Sequence, residues 1–180
     1  QHVDVAAGVA SYYVTWVEKG GGPNPDLVKV QRWTSSGTPI GSPVTVGSSN
    51  GEDQHHPAIA VNQSGKVVVI WRSYNDVWGQ MFSSGLQAQG ASFKITDRTS
   101  KTDYQPDVTS MPDGSGFLAI WAGIYPEHSS HKEPHSSTNC CRKSEVLPPL
   151  HPSIVLLVPS QEFVFELLSN VQGLARTVIV

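Results

Sequence analysis

Histidine and cysteine side chains that could bind a metal ion are concentrated between residues 128 and 141. The candidates are His128, His131, His135, Cys140 and Cys141. Imidazole and thiolate suit zinc or copper, and histidines at this spacing could converge on one side of a helical turn. Pro134 interrupts the set and no C-x2-C pair is present. A polar loop rich in serine and histidine is therefore the favoured interpretation, and we predict no metal and no other cofactor.

A second polar group consists of Asp53, His55 and His56, which precede a proline. These residues lie between two copies of the repeat described below, where propellers often place ligand contacts. The alternative is a loop cap, in which the aspartate bonds to its own backbone, as Asp and Asn commonly do in turns. We favour the loop cap.

Exposed aromatic residues and one glycosylation sequon complete the possible sites. Trp78 and Tyr74 could stack on the faces of sugar rings and are the predicted ligand-binding residues. Trp33 and Phe82 occupy matched repeat positions, which favours a role in the core between sheets. Asn62-Gln63-Ser64 is a sequon on a predicted turn, so Asn62 is a possible glycosylation site, with an ordinary polar turn as the alternative.

Sequence motifs of common hydrolases and nucleotide-binding enzymes are missing. The chain has no G-x-S-x-G, P-loop or H-E-x-x-H motif. A sialidase Asp-box, Ser-x-Asp-x-Gly-x-Thr-Trp, is absent as well, since Gly65 and Trp71 are six positions apart. The five arginines are widely spread. We therefore predict no catalytic residues and no enzymatic activity.

The elements that position these residues belong to a repeat marked by three tryptophans. Trp16, Trp71 and Trp121 each end an apolar run, at intervals of 55 and 50 residues. Recurrence at a fixed period is the signature of repeat architectures.

Further landmarks follow each tryptophan in the same order. Gln31 and Gln80, and Gly41 and Gly90, are both 49 positions apart. The predicted repeat domain spans residues 1–122, with units at about 1–56 and 57–105 and a partial unit at 106–122. Chance would not preserve this order of landmarks.

Each unit has the pattern of four short β-strands. Val67 to Trp71 is apolar on both faces, which indicates a strand covered from both sides, whereas Val28 to Trp33 alternates with polar residues. Strands that begin at Pro57 and Pro106 suit the fixed φ of proline. We predict an all-β protein, a propeller-like array of four-stranded antiparallel sheets with about two and a half repeats and an irregular C-terminal tail.

The order Pro-x-Val, Gly-x-Val-Val-Val-x-Trp, Gln-x-Phe, Gly-x-x-x-Gly and Asp-x-Gln-Pro resembles a known repeat family. It is similar to the tandem repeats of about fifty residues in large secreted bacterial surface proteins, which often accompany RTX-type calcium-binding modules. The resemblance covers residues 1–122 and implies propeller-like arrays. The calcium-binding nonapeptide itself is absent here, so calcium binding is not implied.

Residues 123–180 depart from the repeat. Six of the thirteen prolines and both cysteines fall there, but none of the five tryptophans. We predict a linker over 123–153 and a small C-terminal segment over 154–180. Within that segment, strands are expected at 154–158 and 176–180, and residues 160–170 suit a short helix while 163–165 suit a strand equally well.

Composition and charge narrow the function. A formal net charge of −3 with scattered basic residues offers no stripe for nucleic acid. No apolar run approaches the roughly 18 residues needed to span a bilayer. The chain begins at Gln1 within the repeat pattern, which indicates a processed chain or a piece of something longer.

The predicted function is therefore structural or adhesive. We expect an extracellular or cell-surface protein, a component of a surface assembly or filament. Open sheet faces favour association with other copies of the chain or with neighbouring repeats. A carbohydrate-binding propeller lectin is the main alternative, with glycans as partners, and a sialidase-like glycosidase is the third interpretation.

Overall fold

All secondary structure that the computed structural model describes is β-strand. It describes residues 2–47, 51–96, 102–124, 151–157, 165–167 and 176–178. The strands are β1 Val3–Ala7, β2 Ser11–Glu18, β3 Leu27–Thr34, β4 Pro39–Thr45, β5 Gln54–Val61, β6 Val67–Ser73, β7 Asp76–Phe82, β8 Phe93–Lys94, β9 Thr102–Ser110, β10 Phe117–Ile124, β11 His151–Leu157, β12 Phe165–Leu167 and β13 Arg176–Val178. No helix long and apolar enough to cross a membrane occurs in these ranges.

The strands form successive antiparallel sheets. Sheet 1 has the order β1-β2-β3-β4 and sheet 2 the order β5-β6-β7-β8. Sheet 3 contains β9, β10 and β11 in that spatial order, and β12 pairs with β13. Neighbouring strands in the first two sheets are also consecutive in sequence, so each of these sheets is built from one continuous segment of the chain.

The repeat tryptophans occupy the same place in consecutive sheets. Trp16, Trp71 and Trp121 lie in the second strands β2, β6 and β10. Trp71 is 1% exposed and Trp121 is 4% exposed. The first packs in the core between sheets 1 and 2, and the second in the core between sheets 2 and 3. Each buried indole therefore faces the preceding sheet.

Strand β6 is covered on both faces, as its sequence predicted. Val67 and Val69 join Trp71 in the core shared with sheet 1, together with Tyr13, Val17, Val28 and Val30. Val68 and Ile70 join the core shared with sheet 3, together with Val108, Phe117 and Ala119. Two apolar layers thus hold the three sheets in a stack, because burial of apolar surface is the dominant favourable term in folding.

The first strands of the sheets lie side by side. β5 contacts both β1 and β9. The backbone N–H of Ile59 donates to Oδ2 of Asp4 over 2.9 Å, which bonds β5 to β1. This arrangement places the first strands innermost and the later strands outside, as in the blades of a propeller.

One face of sheet 1 remains apolar and exposed. Val3, Val5 and Tyr12 are 68%, 59% and 45% exposed. Ile59, which is equivalent to Val5 in the next sheet, is 4% exposed because sheet 1 covers it. The expected contact of such a face with neighbouring repeats or with other copies stays a prediction.

The tail contributes to the stack. β11 pairs with β10 with Trp121 opposite Ser153, so residues 151–157 form the third strand of sheet 3. The strands reach Ile124 and start at His151, a few residues inside the predicted linker 123–153 at each end. β12 is a strand inside the stretch 160–170, which suits a short helix or, at 163–165, a strand, and β13 lies within the predicted strand 176–180. The histidine and cysteine set at 128–141 lies outside the described residues.

Candidate functional site

Two pockets open at the end of the stack where the first strands begin. Antiparallel pairing brings the start of β5 beside the end of β6, with Gln54 opposite Ser73. The loop before β5 and the turn after β6 therefore share this end, which we call the entry end. One pocket lies between the first strands and the other beside the turn after β6.

The axial pocket lies between β1, β5 and β9. It has a volume of about 290 Å³. Its walls are His2, Val3, Asp4, His56, Pro57, Ala58, Gln105, Pro106 and Asp107. Each strand contributes the same three consecutive repeat positions, so the lining is built by the repeat itself.

Two carboxylates of this pocket occupy equivalent positions. Asp4 pairs with Thr15 and Asp107 with Ile120, and each of those partners directly precedes a repeat tryptophan. Ala58 holds the same position in β5, opposite Ile70. The middle strand thus carries a small apolar side chain between two strands that carry carboxylates.

Hydrogen bonds orient both carboxylates. Oδ1 of Asp4 accepts the N–H of Val5 at 2.8 Å, and its Oδ2 accepts the N–H of Ile59 at 2.9 Å. Oδ1 of Asp107 accepts the N–H of Val108 at 2.8 Å. Asp4 is therefore fixed by donors from two sheets, whereas Asp107 is exposed and is held through its own strand.

The axial pocket is shaped by matching β-bulges. Pairing of β5 with β6 shifts between His55 and Ala58, and pairing of β9 with β10 shifts opposite Trp121. His56 and Gln105 have φ of +48° and +46°, and a proline follows each of them. Positive φ is uncommon outside glycine, and proline restricts the preceding residue further. Bulges and strained residues of this kind cluster at functional sites.

Three imidazoles meet at the rim of the axial pocket. The ring centroids of His2 and His56 are 3.9 Å apart with planes tilted by 41°, and those of His55 and His56 are 6.5 Å apart. Burial lowers the pKa of His56, and its electrostatic interactions with His2, Arg72 and His55 lower it further. His56 is consequently neutral at neutral pH, and a neutral imidazole both donates and accepts hydrogen bonds.

The lateral pocket lies beside the turn between β6 and β7. It has a volume of about 320 Å³. Its walls are Glu52, Asp53, His55, Arg72, Tyr74 and Asn75. Tyr74 is 67% exposed at φ +55°, and its carbonyl accepts a hydrogen bond from Nε of Arg72 at 2.9 Å. This predicted ligand-binding aromatic therefore lines a pocket.

The polar group found in the sequence is divided between the pockets. Asp53 and His55 line the lateral pocket, and His56 lines the axial one. Oδ1 of Asp53 accepts the N–H of Asp26 at 2.8 Å. The expected cap on its own backbone is thus replaced by a bond to the loop that precedes β3 in sheet 1.

Trp78 and Asn62 are away from both pockets. Trp78 lies opposite Trp71 in β7 and packs, partly buried, against the core between sheets 1 and 2. Asn62 is 3% exposed, and its Nδ2 donates to the carbonyl of Gly114 at 3.2 Å. Ligand binding by Trp78 stays a prediction. Glycosylation of Asn62 also stays a prediction, and it requires Nδ2 of Asn62 to give up its hydrogen bond to the Gly114 carbonyl.

Two of the pocket aspartates are not among the site residues predicted from the sequence. Asp4 and Asp107 each follow a short polar-hydrophobic pair, His2-Val3 and Gln105-Pro106. Aligning the first strands of all units would have matched them. No sequence pattern predicts that Glu52 and Arg72 line one pocket, because they lie in a loop and beside a turn that are distant in sequence. Among the described side chains, no group of three or more His, Cys, Asp or Glu residues has the arrangement of a metal site.

Comparison with known proteins gives matches among solved structures alone. No protein-family model matches the chain, and no curated protein gives a significant match. A GH43 endo-arabinanase from Bacillus licheniformis superposes with a TM-score of 0.55 at 10% identity, covering 91% of this chain and 53% of that one. The chain thus spans about half the length of this enzyme.

Two further structures are similar at lower scores. A thermostable family-43 glycoside hydrolase has a TM-score of 0.48 at 14% identity, over 94% of this chain and 56% of that one. An alpha-L-arabinofuranosidase from Lactobacillus brevis has a TM-score of 0.48 at 8% identity, over 67% of this chain and 44% of that one.

The comparisons confirm the predicted fold class and correct other predictions. The all-β, propeller-like arrangement is confirmed. The resemblance to RTX-associated surface repeats is wrong, because the structure that superposes with a TM-score of 0.55 is a GH43 endo-arabinanase and not a repeat of a surface protein. For the same reason the prediction of a structural, adhesive, self-assembling protein without enzymatic activity is contradicted, and the lectin alternative is not favoured over a glycosidase.

The physical reason for the error lies in what the repeat encodes. Trp71, Val69 and their equivalents are buried between sheets. Any stack of four-stranded sheets needs such residues, whether it serves adhesion or catalysis, since fold and function are separable. The landmarks of the repeat therefore report the stacking and carry no information on activity.

Proposed function

We propose that this chain forms part of a glycoside hydrolase whose active centre is the axial pocket. The observation that carries the proposal is the pair of equivalent carboxylates, Asp4 and Asp107, on two first strands that line one pocket. Most glycoside hydrolases use two carboxyl groups on either side of the scissile bond. The shared fold with the endo-arabinanase supports the same reaction class.

The two carboxylates suit different roles. Two backbone N–H groups fix Asp4, which suits the carboxylate that acts as base toward the attacking water. Asp107 is exposed and held through one oxygen, so it can turn toward the glycosidic oxygen and protonate it. Water then adds to the anomeric carbon, its proton passes to Asp4, and the glycosidic bond breaks to release an alcohol.

The imidazoles assist in binding the sugar. His56 is neutral at neutral pH because burial, and then electrostatic interactions with its neighbours, lower its pKa. It can accept a hydrogen bond from one sugar hydroxyl and donate to another. His2 lies against it and covers one side of the pocket.

Arabinan is the first substrate to test, because the structure that superposes with a TM-score of 0.55 is an endo-arabinanase. A polysaccharide does not enter cells, which supports the expectation of an extracellular or cell-surface location. The three sheets of the stack, within the described residues, are fewer than the roughly four to eight blades of closed propellers. Further sheets would therefore complete the wall of the pocket.

Release of reducing sugar from arabinan tests the proposal. Asp107→Asn keeps the size of the side chain but removes the acid, and we expect its rate to fall by roughly 100-fold or more. Asp113→Asn is the matched control, because Asp113 lies in the turn between β9 and β10 and bonds to Ser115. Its rate should equal that of the unmodified chain. A chain that releases no sugar from arabinan, or an Asp107→Asn variant that retains the full rate, contradicts the proposal.

A further inference from the structure

We infer that the lateral pocket is a second saccharide subsite, which binds a neutral sugar residue of the polymer cleaved in the axial pocket. The inference rests on the proposed function and assigns Tyr74 as the stacking platform of this subsite. Glu52, Asp53 and Asn75 provide its polar groups.

The two pockets are arranged for one continuous ligand. Both open at the entry end, and consecutive residues of β5 line them, His55 the lateral pocket and His56 the axial pocket. Neighbouring side chains of a strand point in different directions, and a register shift in the pairing of β5 with β6 begins at His55. A polymer that occupies the axial pocket therefore reaches the lateral pocket by crossing the rim formed by the two histidines.

The conformation of Tyr74 favours a binding role. It is the first residue of the two-residue turn between Ser73 and Asp76, at φ +55°, where glycine is the usual choice. A tyrosine there is strained, and strain of this kind persists at sites where it serves function. The bond from Arg72 Nε to the Tyr74 carbonyl holds the turn, and the ring is 67% exposed beside the pocket. Such a ring offers an apolar face and a polar hydroxyl.

The remaining walls of the pocket define the ligand. Oε2 of Glu52 accepts a hydrogen bond from Oγ of Ser73 at 3.3 Å, and Asp53 is held by the backbone of Asp26. These carboxylates offer acceptors for hydroxyl groups, and Arg72 in the same wall offers donors. Two carboxylates against one guanidinium leave the pocket with a negative formal charge, which disfavours an anionic ligand. A volume of about 320 Å³ lies at the lower end of small-molecule pockets, which run from about 300 to 1,000 Å³. A neutral, hydroxyl-rich sugar residue fits this combination of an aromatic face and polar groups.

Replacement of Tyr74 by glycine separates binding from stability. Tyr74→Gly removes the ring and also relieves the positive φ, so the variant should unfold at a higher temperature. Its affinity for linear arabino-oligosaccharides should fall about tenfold, which corresponds to about 1.4 kcal/mol, because the stacking contact of the ring is lost. A residue with a purely structural role would not lose affinity while gaining stability.

Isothermal titration with arabino-oligosaccharides measures this effect in a background of Asp107→Asn, which prevents hydrolysis. Tyr12→Ala is the control, because Tyr12 is an exposed tyrosine that pairs with Ala7 at the end of β1, opposite the entry end. It should bind as the background does. Oligogalacturonate, which is anionic, should bind weakly or not at all.

The two proposals fail in different ways. If hydrolysis of arabinan depends on Asp107 but the affinity is the same with and without the Tyr74 ring, the subsite is overturned and the activity stands. Equal affinity for oligogalacturonate would overturn the assignment to a neutral sugar. If no arabinan is hydrolysed but oligosaccharides bind through Tyr74, the subsite stands and the proposed reaction fails. A background variant that binds no arabino-oligosaccharide overturns the subsite.

Discussion

Gly47 is the position where the stacking of sheets 1 and 2 can be tested most simply. It follows Val46 after β4, with φ +64°, and it touches the indole of Trp71. A Cβ added there would lie 2.6 Å from Cζ2 and 2.7 Å from Cη2 of that ring. Real Cβ atoms essentially never come so close to other atoms. Because Trp71 is 1% exposed, the ring has no space into which it can move.

The cost of Gly47→Ala has two parts. An alanine in the left-handed region costs about 1–2 kcal/mol. Overpacking against a buried side chain costs about 1–3 kcal/mol more, because the ring or the backbone must shift. We therefore expect the free energy of unfolding to fall by about 2–5 kcal/mol in total.

Gly37→Ala separates the two parts. Gly37 has φ +80° in the turn between β3 and β4, and an added Cβ would meet no atom within 4 Å. This variant should lose only the conformational part, about 1–2 kcal/mol. Urea unfolding, followed by tryptophan fluorescence, measures the free energy of unfolding of both variants. Equal losses in the two variants would refute the contact between the loop after β4 and the indole of Trp71.

Two further predictions concern the buried amide of β5 and the histidine of the axial pocket. Gln54 is fully buried; its side chain accepts the N–H of Val28 at 2.7 Å and donates to the Val46 carbonyl at 3.3 Å. Gln54→Leu should lower the free energy of unfolding in urea by about 2–4 kcal/mol, because both backbone groups lose this partner. An unchanged free energy of unfolding would contradict these bonds. The pKa of His56 is lower in the folded chain than its ordinary value of 6.5, so the unfolded chain binds protons more readily and stability falls as pH drops below 6.5. His56→Gln, which copies Gln105, should make unfolding less dependent on pH between 5 and 7.5, and an unchanged dependence would count against the burial of this imidazole.

The sequence predicts the sheets well because its apolar pattern is repeated. The run from Val67 to Trp71 is apolar at every position and is too short for a buried helix, so it predicts a strand covered on both faces. The structure buries both faces of this strand. The matched spacing after Trp16 and Trp71 likewise gave one sheet per unit. A local pattern sufficed because each sheet is built from consecutive strands.

The pockets were less predictable because residues distant in sequence form them. Asp4 and Asp107 come from different sheets and line one pocket only because the first strands lie side by side. The bulges before Pro57 and Pro106 depend on pairing with β6 and β10, which no local pattern reveals. Tyr74 was found from its residue type, while its strained turn and its neighbours Glu52 and Arg72 required the structure.

A crystal structure of the Asp107→Asn variant with an arabino-oligosaccharide tests the central claim most directly. We predict one sugar residue in the axial pocket, within hydrogen-bonding distance of Asp4, and another sugar residue stacked on Tyr74. Saccharide bound to any other surface, with both pockets empty at saturating ligand, would contradict the account.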